Sequence, residues 1–186
     1  MNIFYLDNDV KTCAQYHNDK HCVKMILEYC QLLSTAHRVL DGVEMQIVSK
    51  TGRKMKCWSL LDDREYILYK ATHMNHPSAV WVRQSANNYT WLSCLLSELC
   101  AEYTYRYGKV HKCEDTGLVN ALFQCPKNIP VKHFTQPTPA MPDDCKINGD
   151  SIASYRNYYI NNKTHLASWK NRNIPEWYKN AHIHVS

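Results

Sequence analysis

Between Asp19 and Leu40 the apolar positions return at helical spacing. At roughly 100° per residue, Cys22, Val23, Met25, Ile26, Tyr29, Cys30, Leu33 and Ala36 fall on one broad face. Opposite runs a polar stripe of Lys20, Lys24, Glu28, Gln31, Thr35 and Arg38. Asp19 is the expected N-cap of this helix, and Gly42 the residue just past its end. Two residues break the pattern: His37 falls inside the apolar face and His21 on its boundary.

The rest of the chain reads as shorter elements around that helix. Ile3, Phe4, Tyr5 and Leu6 form an apolar lead-in, and a short helix is expected from Thr12, with Gln15 completing a capping box. Val43, Met45 and Ile47 alternate before a Thr51-Gly52 turn, which predicts a β-hairpin with Lys50, Arg53, Lys54 and Lys56 at a basic tip. Residues 59–72 fit helix and strand equally. Pro77 holds His76 extended ahead of a helix starting near Ser78. A kink falls at residues 85–88. A further helix carries Trp91, Leu92, Leu95, Leu96, Leu99 and Tyr103 and ends at Gly108, and residues 114–124 offer another. Residues 125–149 hold five prolines and no periodicity, so they read as a strap anchored by Ile129, Val131, Phe134 and Met141. Asp150 then caps a last helix running through Trp169. The expected fold is all-α: a compact single-domain helical bundle over residues 1–186, with a small β-hairpin insertion and a long Pro-rich loop.

Charge and composition narrow the chemistry. A net charge of +5 with ten histidines is compatible with a phosphate-bearing partner, without any charged tail to demand one. The nine cysteines include no CxxC pair or recognisable metal spacing, so they read as small buried hydrophobes of a reduced compartment, with no metal expected. The absence of an apolar leader or a long apolar run predicts a cytoplasmic protein without a membrane partner. No Walker loop, Rossmann fingerprint, HExxH or GxSxG is present, so no cofactor is expected. Nothing in the pattern selects an oligomeric state.

What remains is a set of polar and aromatic residues on helices or at their ends. The long helix supplies Lys20, His21, Lys24, Glu28, Gln31 and His37, and the middle supplies His73, Asn75, His76, Trp81, Arg83, Asn88 and Trp91. Each has an ordinary alternative: a wet helix face, a satisfied core histidine, a core tryptophan, a helix-entry cap. Taken together they predict a polar cleft between facing helices. In it Glu28 is the acid/base, Lys24 and His76 are further catalytic candidates, and the others hold substrate. Lys50, Lys54 and Lys56 are candidate phosphate contacts, with a solvated hairpin as the alternative.

Two resemblances add to this reading. DKHCVKMILEYCQLLSTAHRVLDG, HMNHPSAVWVRQSANNYTWL, EYTYRYGKVHK and WKNRNIPEWY resemble a family of small helical proteins common in tailed-phage genomes. The order of an early Glu-Tyr helix, a middle helical region and a closing Pro-x-Trp-Tyr-Lys resembles the pyrimidine-dimer DNA glycosylases of the endonuclease V type. Those are compact helical enzymes that use an N-terminal amine and a helix-borne glutamate. The resemblance implies that Glu28 is that glutamate and that Pro175, Trp177, Tyr178 and Lys179 match the closing motif. The family exposes the amine of a small second residue after methionine removal. Here Asn2 is too large for that processing, which leaves the amine of Met1 or a lysine such as Lys24 as nucleophile. The expected function is action on DNA bases or nucleotides, by excision or by base modification, with DNA as partner. The competing expectation is a protein that binds or cleaves a small nucleotide, such as a host-defence signal. An interaction protein without a pocket is a third.

Overall fold

The computed structural model describes residues 1–48 and 51–183, the last two as backbone only. In chain order the helices are α1 (Val10–Tyr16), α2 (Asp19–Asp41), α3 (Arg64–Ile67), α4 (Pro77–Gln84), α5 (Ala86–Tyr107), α6 (Lys112–Asp115), α7 (Leu118–Ala121), α8 (Ser151–Asn162) and α9 (Glu176–Ile183). Strands β1 (Val43–Val48) and β2 (Lys54–Ser59) sit between α2 and α3. The long helices α2 and α5 pack together, with α1 against α5 and α4 against both. Their apolar faces join one buried cluster that runs from Ile3 to Tyr178. The fold is helical with a small hairpin, as the pattern predicts.

Local chemistry sets the ends of α2. Asn18, not Asp19, is the N-cap: its side-chain oxygen accepts the His21 N–H at 2.9 Å. Asp19 is thereby free to accept from Arg106 at 3.0 Å, from the Ser168 hydroxyl at 2.5 Å and from the Lys170 N–H at 2.9 Å. Gly42 ends the helix at φ −86°, so it is not needed for a left-handed turn. A Cβ there would meet the Arg38 carbonyl of α2's own last turn at 2.4 Å, with the Ser59 carbonyl and Trp58 Cβ of β2 at 3.2 Å, so this helix end requires glycine.

Several boundaries differ from those expected. α1 starts at Val10 because Asp9 caps it, accepting the Thr12 N–H at 2.8 Å. Of residues 59–72, Ser59 ends β2 and 60–72 form a loop with only the single turn α3. The helix expected over 114–124 is two single turns, split by Gly117 at φ +77°. The last long helix stops at Asn162, where the weak helix formers Asn161, Asn162 and Thr164 end it, and Trp169 lies beyond. The strap is held chiefly through its carbonyls: Pro130 accepts from Ala86 N at 2.8 Å, Lys132 from Ser85 Oγ at 2.6 Å and Pro137 from Ser151 Oγ at 2.5 Å. Met141 is a buried anchor, whereas Val131 is 90% exposed and anchors nothing.

β1 and β2 pair antiparallel from Val43 opposite Ser59 to Val48 opposite Lys54. Val43, Met45, Ile47 and Met55 remain exposed, so most of the ribbon stands clear of the core, while Trp58 at the base of β2 is buried. Among the described residues no helix is long and apolar enough to cross a membrane.

Candidate active site

The polar stripe of α2 divides into two halves. Lys20 and Lys24 are exposed, and Glu28 and Gln31 half-buried, as a wet face requires. Thr35 and Arg38, expected on the same wet face, are both fully buried. The loop after β2 folds over them, and Arg38 donates all its N–H groups into it. Nε bonds the Tyr69 carbonyl (2.5 Å), Nη1 the Trp58 carbonyl (3.0 Å) and Glu65 Oε2 (2.6 Å), and Nη2 the carbonyls of Glu65 (3.1 Å) and Leu68 (2.8 Å). Val23, expected in the apolar face, is 39% exposed beside Leu27.

At the open half, the lead-in brings the chain's start to Glu28. The Phe4 N–H donates to the Tyr29 hydroxyl at 3.1 Å, and that hydroxyl lies 2.9 Å from His17 Nε2. His17 Nδ1 is 2.8 Å from the Cys13 carbonyl, which can only accept, so Nδ1 carries the proton and Nε2 accepts from Tyr29. Burial holds His17 down at about 4, which keeps that neutral tautomer in place at neutral pH. The amino group of Met1 thereby lies 3.6 Å from Glu28 Oε2, and Lys24 Nζ lies 3.0 Å from Oε1. The two nitrogens differ in setting: the Lys24 side chain is 67% exposed, while those of Met1 and Glu28 are 7% and 14% exposed.

The amine–carboxylate pair opens into a cavity of about 300 Å³. Its walls are the lead-in (Met1, Phe4), α2 (His21, Lys24, Glu28) and a third side from Tyr158 and Lys163. His21 stacks on Phe4 at 4.1 Å and bonds the Tyr159 hydroxyl at 2.6 Å. Burial first, then the charges of His17, Lys163 and Lys24, push His21 down to about 3, so it lines the cavity as a neutral ring.

His76 is the N-cap of α4 and is not among the residues that line this cavity. Its Nδ1 accepts the Ser78 N–H at 3.2 Å, which leaves Nε2 as the protonated nitrogen. Burial lowers its pKa, the Met1 amino group and His73 push the same way, and Glu28 opposes them; His76 thus lies within electrostatic reach of the Met1 amine and of Glu28. Its turn is fixed from behind. Arg83 donates to the Met74 carbonyl at 2.7 Å, and Thr35 Oγ1 accepts the Thr72 N–H at 3.1 Å. That clamp retains His73 at φ +46°, a strained value for a residue with a Cβ, and leaves Asn75 exposed on the turn.

The other candidates lie elsewhere. His37 joins a separate cluster: Arg64 Nη1 donates to its Nδ1 at 2.8 Å and its Nε2 lies 2.8 Å from the Tyr89 hydroxyl. Trp81 is buried with Nε1 donating to Thr135 at 3.1 Å, and Asn88 bonds the Trp81 carbonyl and the Thr135 N–H. Trp91 is half-buried, edge-on to Trp81, and donates to the Asn8 carbonyl at 3.2 Å. These residues tie the strap to α4 and α5. Lys54 is exposed on the hairpin, Lys56 pairs with Glu44 at 2.7 Å, and Lys50 lies outside the described residues. The sequence pattern did not single out His17, Tyr158 or Lys163. His17 precedes a strong helix start, and the other two are brought in by long-range packing that no local period encodes.

Fold and site together define a helical protein that presents an amine and a carboxylate side by side in one small polar pocket, a pairing suited to imine-forming chemistry. A family model for pyrimidine dimer DNA glycosylases matches residues 1–115, and the chain belongs to that family. Membership gives a DNA glycosylase-like function at the level of the family, with DNA as partner. Met1, Lys24, Glu28 and His76 fall inside the matched stretch, and Tyr158 and Lys163 beyond it. Comparison with curated proteins and with solved structures gives no match.

Proposed function

We propose that this protein removes damaged pyrimidines from DNA, with the amino group of Met1 as nucleophile and Glu28 as its proton partner. The observation that carries the reading is the 3.6 Å approach of that amine to Glu28 Oε2 inside a pocket. The Met1 ammonium first gives a proton to solvent through Glu28; the neutral amine then attacks C1′ of the extruded nucleotide, and the bond from C1′ to the base breaks with its electron pair leaving on the base. Glu28 takes a proton from the new C1′–N ammonium, then returns it to the ring oxygen as the sugar opens to an iminium. Water later adds to that iminium and frees the amine. His76, neutral with a proton on Nε2, donates a hydrogen bond to the substrate.

In this reading Lys24 neutralises Glu28 and meets phosphate at the mouth, beside Lys20 and Gln31. The hairpin lysines Lys50, Lys54 and Lys56 contact backbone phosphate farther along the duplex. Glu28 lies 14 residues before Gly42, which at 1.5 Å per helical residue is about 21 Å along α2, roughly six base pairs of duplex. Formation of abasic sugars in ultraviolet-irradiated duplex, read as alkali-labile strand breaks with undamaged duplex as control, tests the assignment. Breaks confined to the irradiated duplex are expected. No breaks in either duplex, with steep salt-sensitive binding also absent, return the protein to the small-nucleotide class.

A further inference from the structure

Resting on that reading, we infer that Tyr158 and Lys163 form a nucleotide subsite: Lys163 holds a phosphate beside the extruded nucleotide, and Tyr158 supports its base. Both residues come from the part of the chain beyond the family match, yet they make the third wall of the cavity around Glu28. Their placement is built, not incidental. α8 is docked on the lead-in by Arg156, whose Nε and Nη2 donate to the Leu6 carbonyl at 3.0 and 2.8 Å, and by the Tyr159 bond to His21. Lys163 caps the end of α8, and its Nζ lies 4.8 Å from the centre of the Tyr158 ring. The Tyr158 ring in turn lies within 6° of parallel to Phe4, at 6.3 Å.

Charge points to the ligand class. Three cations, the Met1 amine, Lys24 and Lys163, line this cavity against the single carboxylate of Glu28. The first two share that carboxylate. Among the described residues none offers Lys163 a carboxylate within 4.0 Å, so its charge is held only by an aromatic face. A cation fixed over a tyrosine at the rim of a polar cavity suits a phosphate next to a flat base, and single-strand binders combine the same two elements.

The test is binding of a duplex with one tetrahydrofuran abasic analogue, across a salt series, beside excision by the same preparations. Lys163→Ala should weaken binding by roughly 10-fold and flatten the log–log salt slope by about one, and Lys163→Arg should restore the slope. Tyr158→Leu should raise KM for damaged duplex several-fold more than it lowers kcat, and Tyr158→Phe should behave as wild type. Matching melting temperatures exclude misfolding. A wild-type slope retained by Lys163→Ala overturns the subsite, whether or not excision occurs, and so does wild-type protein that binds no duplex. Wild-type binding without excision, with the slope still flattened by Lys163→Ala, overturns the glycosylase reading and leaves the subsite standing.

Discussion

The two halves of α2 carry the same polar stripe and meet opposite fates. Near its start, Lys24 is exposed and Glu28 lines an open pocket, paired at 3.0 Å, with the Met1 amine on the carboxylate's other oxygen. Near its end, Arg38 is fully buried, with Glu65 and four carbonyl bonds around it. A helical period fixes the direction in which a side chain leaves the axis. What covers it there is decided by chain far away, and that cover separates a reactive group from a structural one. An exposed pair is worth under about 1 kcal/mol, whereas a buried guanidinium becomes costly once any of its partners is lost.

The sharpest way to break this comparison is at its buried end. Arg38→Ala leaves four carbonyls without their donor and takes one partner from Glu65, which keeps Lys70 and the Leu60 N–H, and should cost about 3–5 kcal/mol of unfolding free energy by urea denaturation. A loss under about 1 kcal/mol would place Arg38 with the exposed charges.

Acid comes next. Burial holds His17 and His37 at about 4 against an ordinary 6.5. Between those values the unfolded chain binds more protons, so stability should be constant above pH 6.5 and fall as pH drops towards 4, by up to about 3 kcal/mol per ring. Glu65, held at about 2 against an ordinary 4.5, loses its contribution as pH falls from about 4.5 towards 2, at the foot of that window and below it. Thermal melts from pH 7.5 to 4.5 measure this, and a flat profile would contradict the buried neutral rings.

At the open end the effect should move from stability to activity. Glu28→Gln keeps size and hydrogen-bond reach but loses the transferable proton. It should lower excision by roughly 10²-fold while changing stability by under about 1 kcal/mol. Unaltered turnover would remove Glu28 from the chemistry. The smallest expected effect is at the hairpin. Changing Lys50, Lys54 and Lys56 together to Ala should flatten the salt slope of duplex binding by about two to three, and an unchanged slope would leave the ribbon as a solvated excursion.

Much of this architecture was legible in the chain. Helical spacing gave α2 and α5, the alternation of Val43, Met45 and Ile47 gave the ribbon, and His76-Pro77 gave the entry to α4. Glu28 and Lys24 were legible as a pair because four residues apart on a helix is a contact. The burial of Thr35 and Arg38 was not, because it depends on a loop whose own sequence has no period. The position of Met1 was hidden for a similar reason. It rests on Tyr29, whose hydroxyl reads as core spacing in sequence and in space holds the Phe4 N–H and His17. Trp81 and Asn88 show the converse, since residues that suit a base-binding surface are satisfied by the strap through Thr135.

The central claim is that the Met1 amine, and not the exposed Lys24 beside it, reacts under the control of Glu28. Borohydride trapping on damaged duplex, followed by digestion and mass mapping of the adduct, measures this directly. The account predicts a sugar-derived mass on the Met1 amine, retained in Lys24→Ala protein. An adduct on Lys24, or trapping abolished by Lys24→Ala, would contradict it.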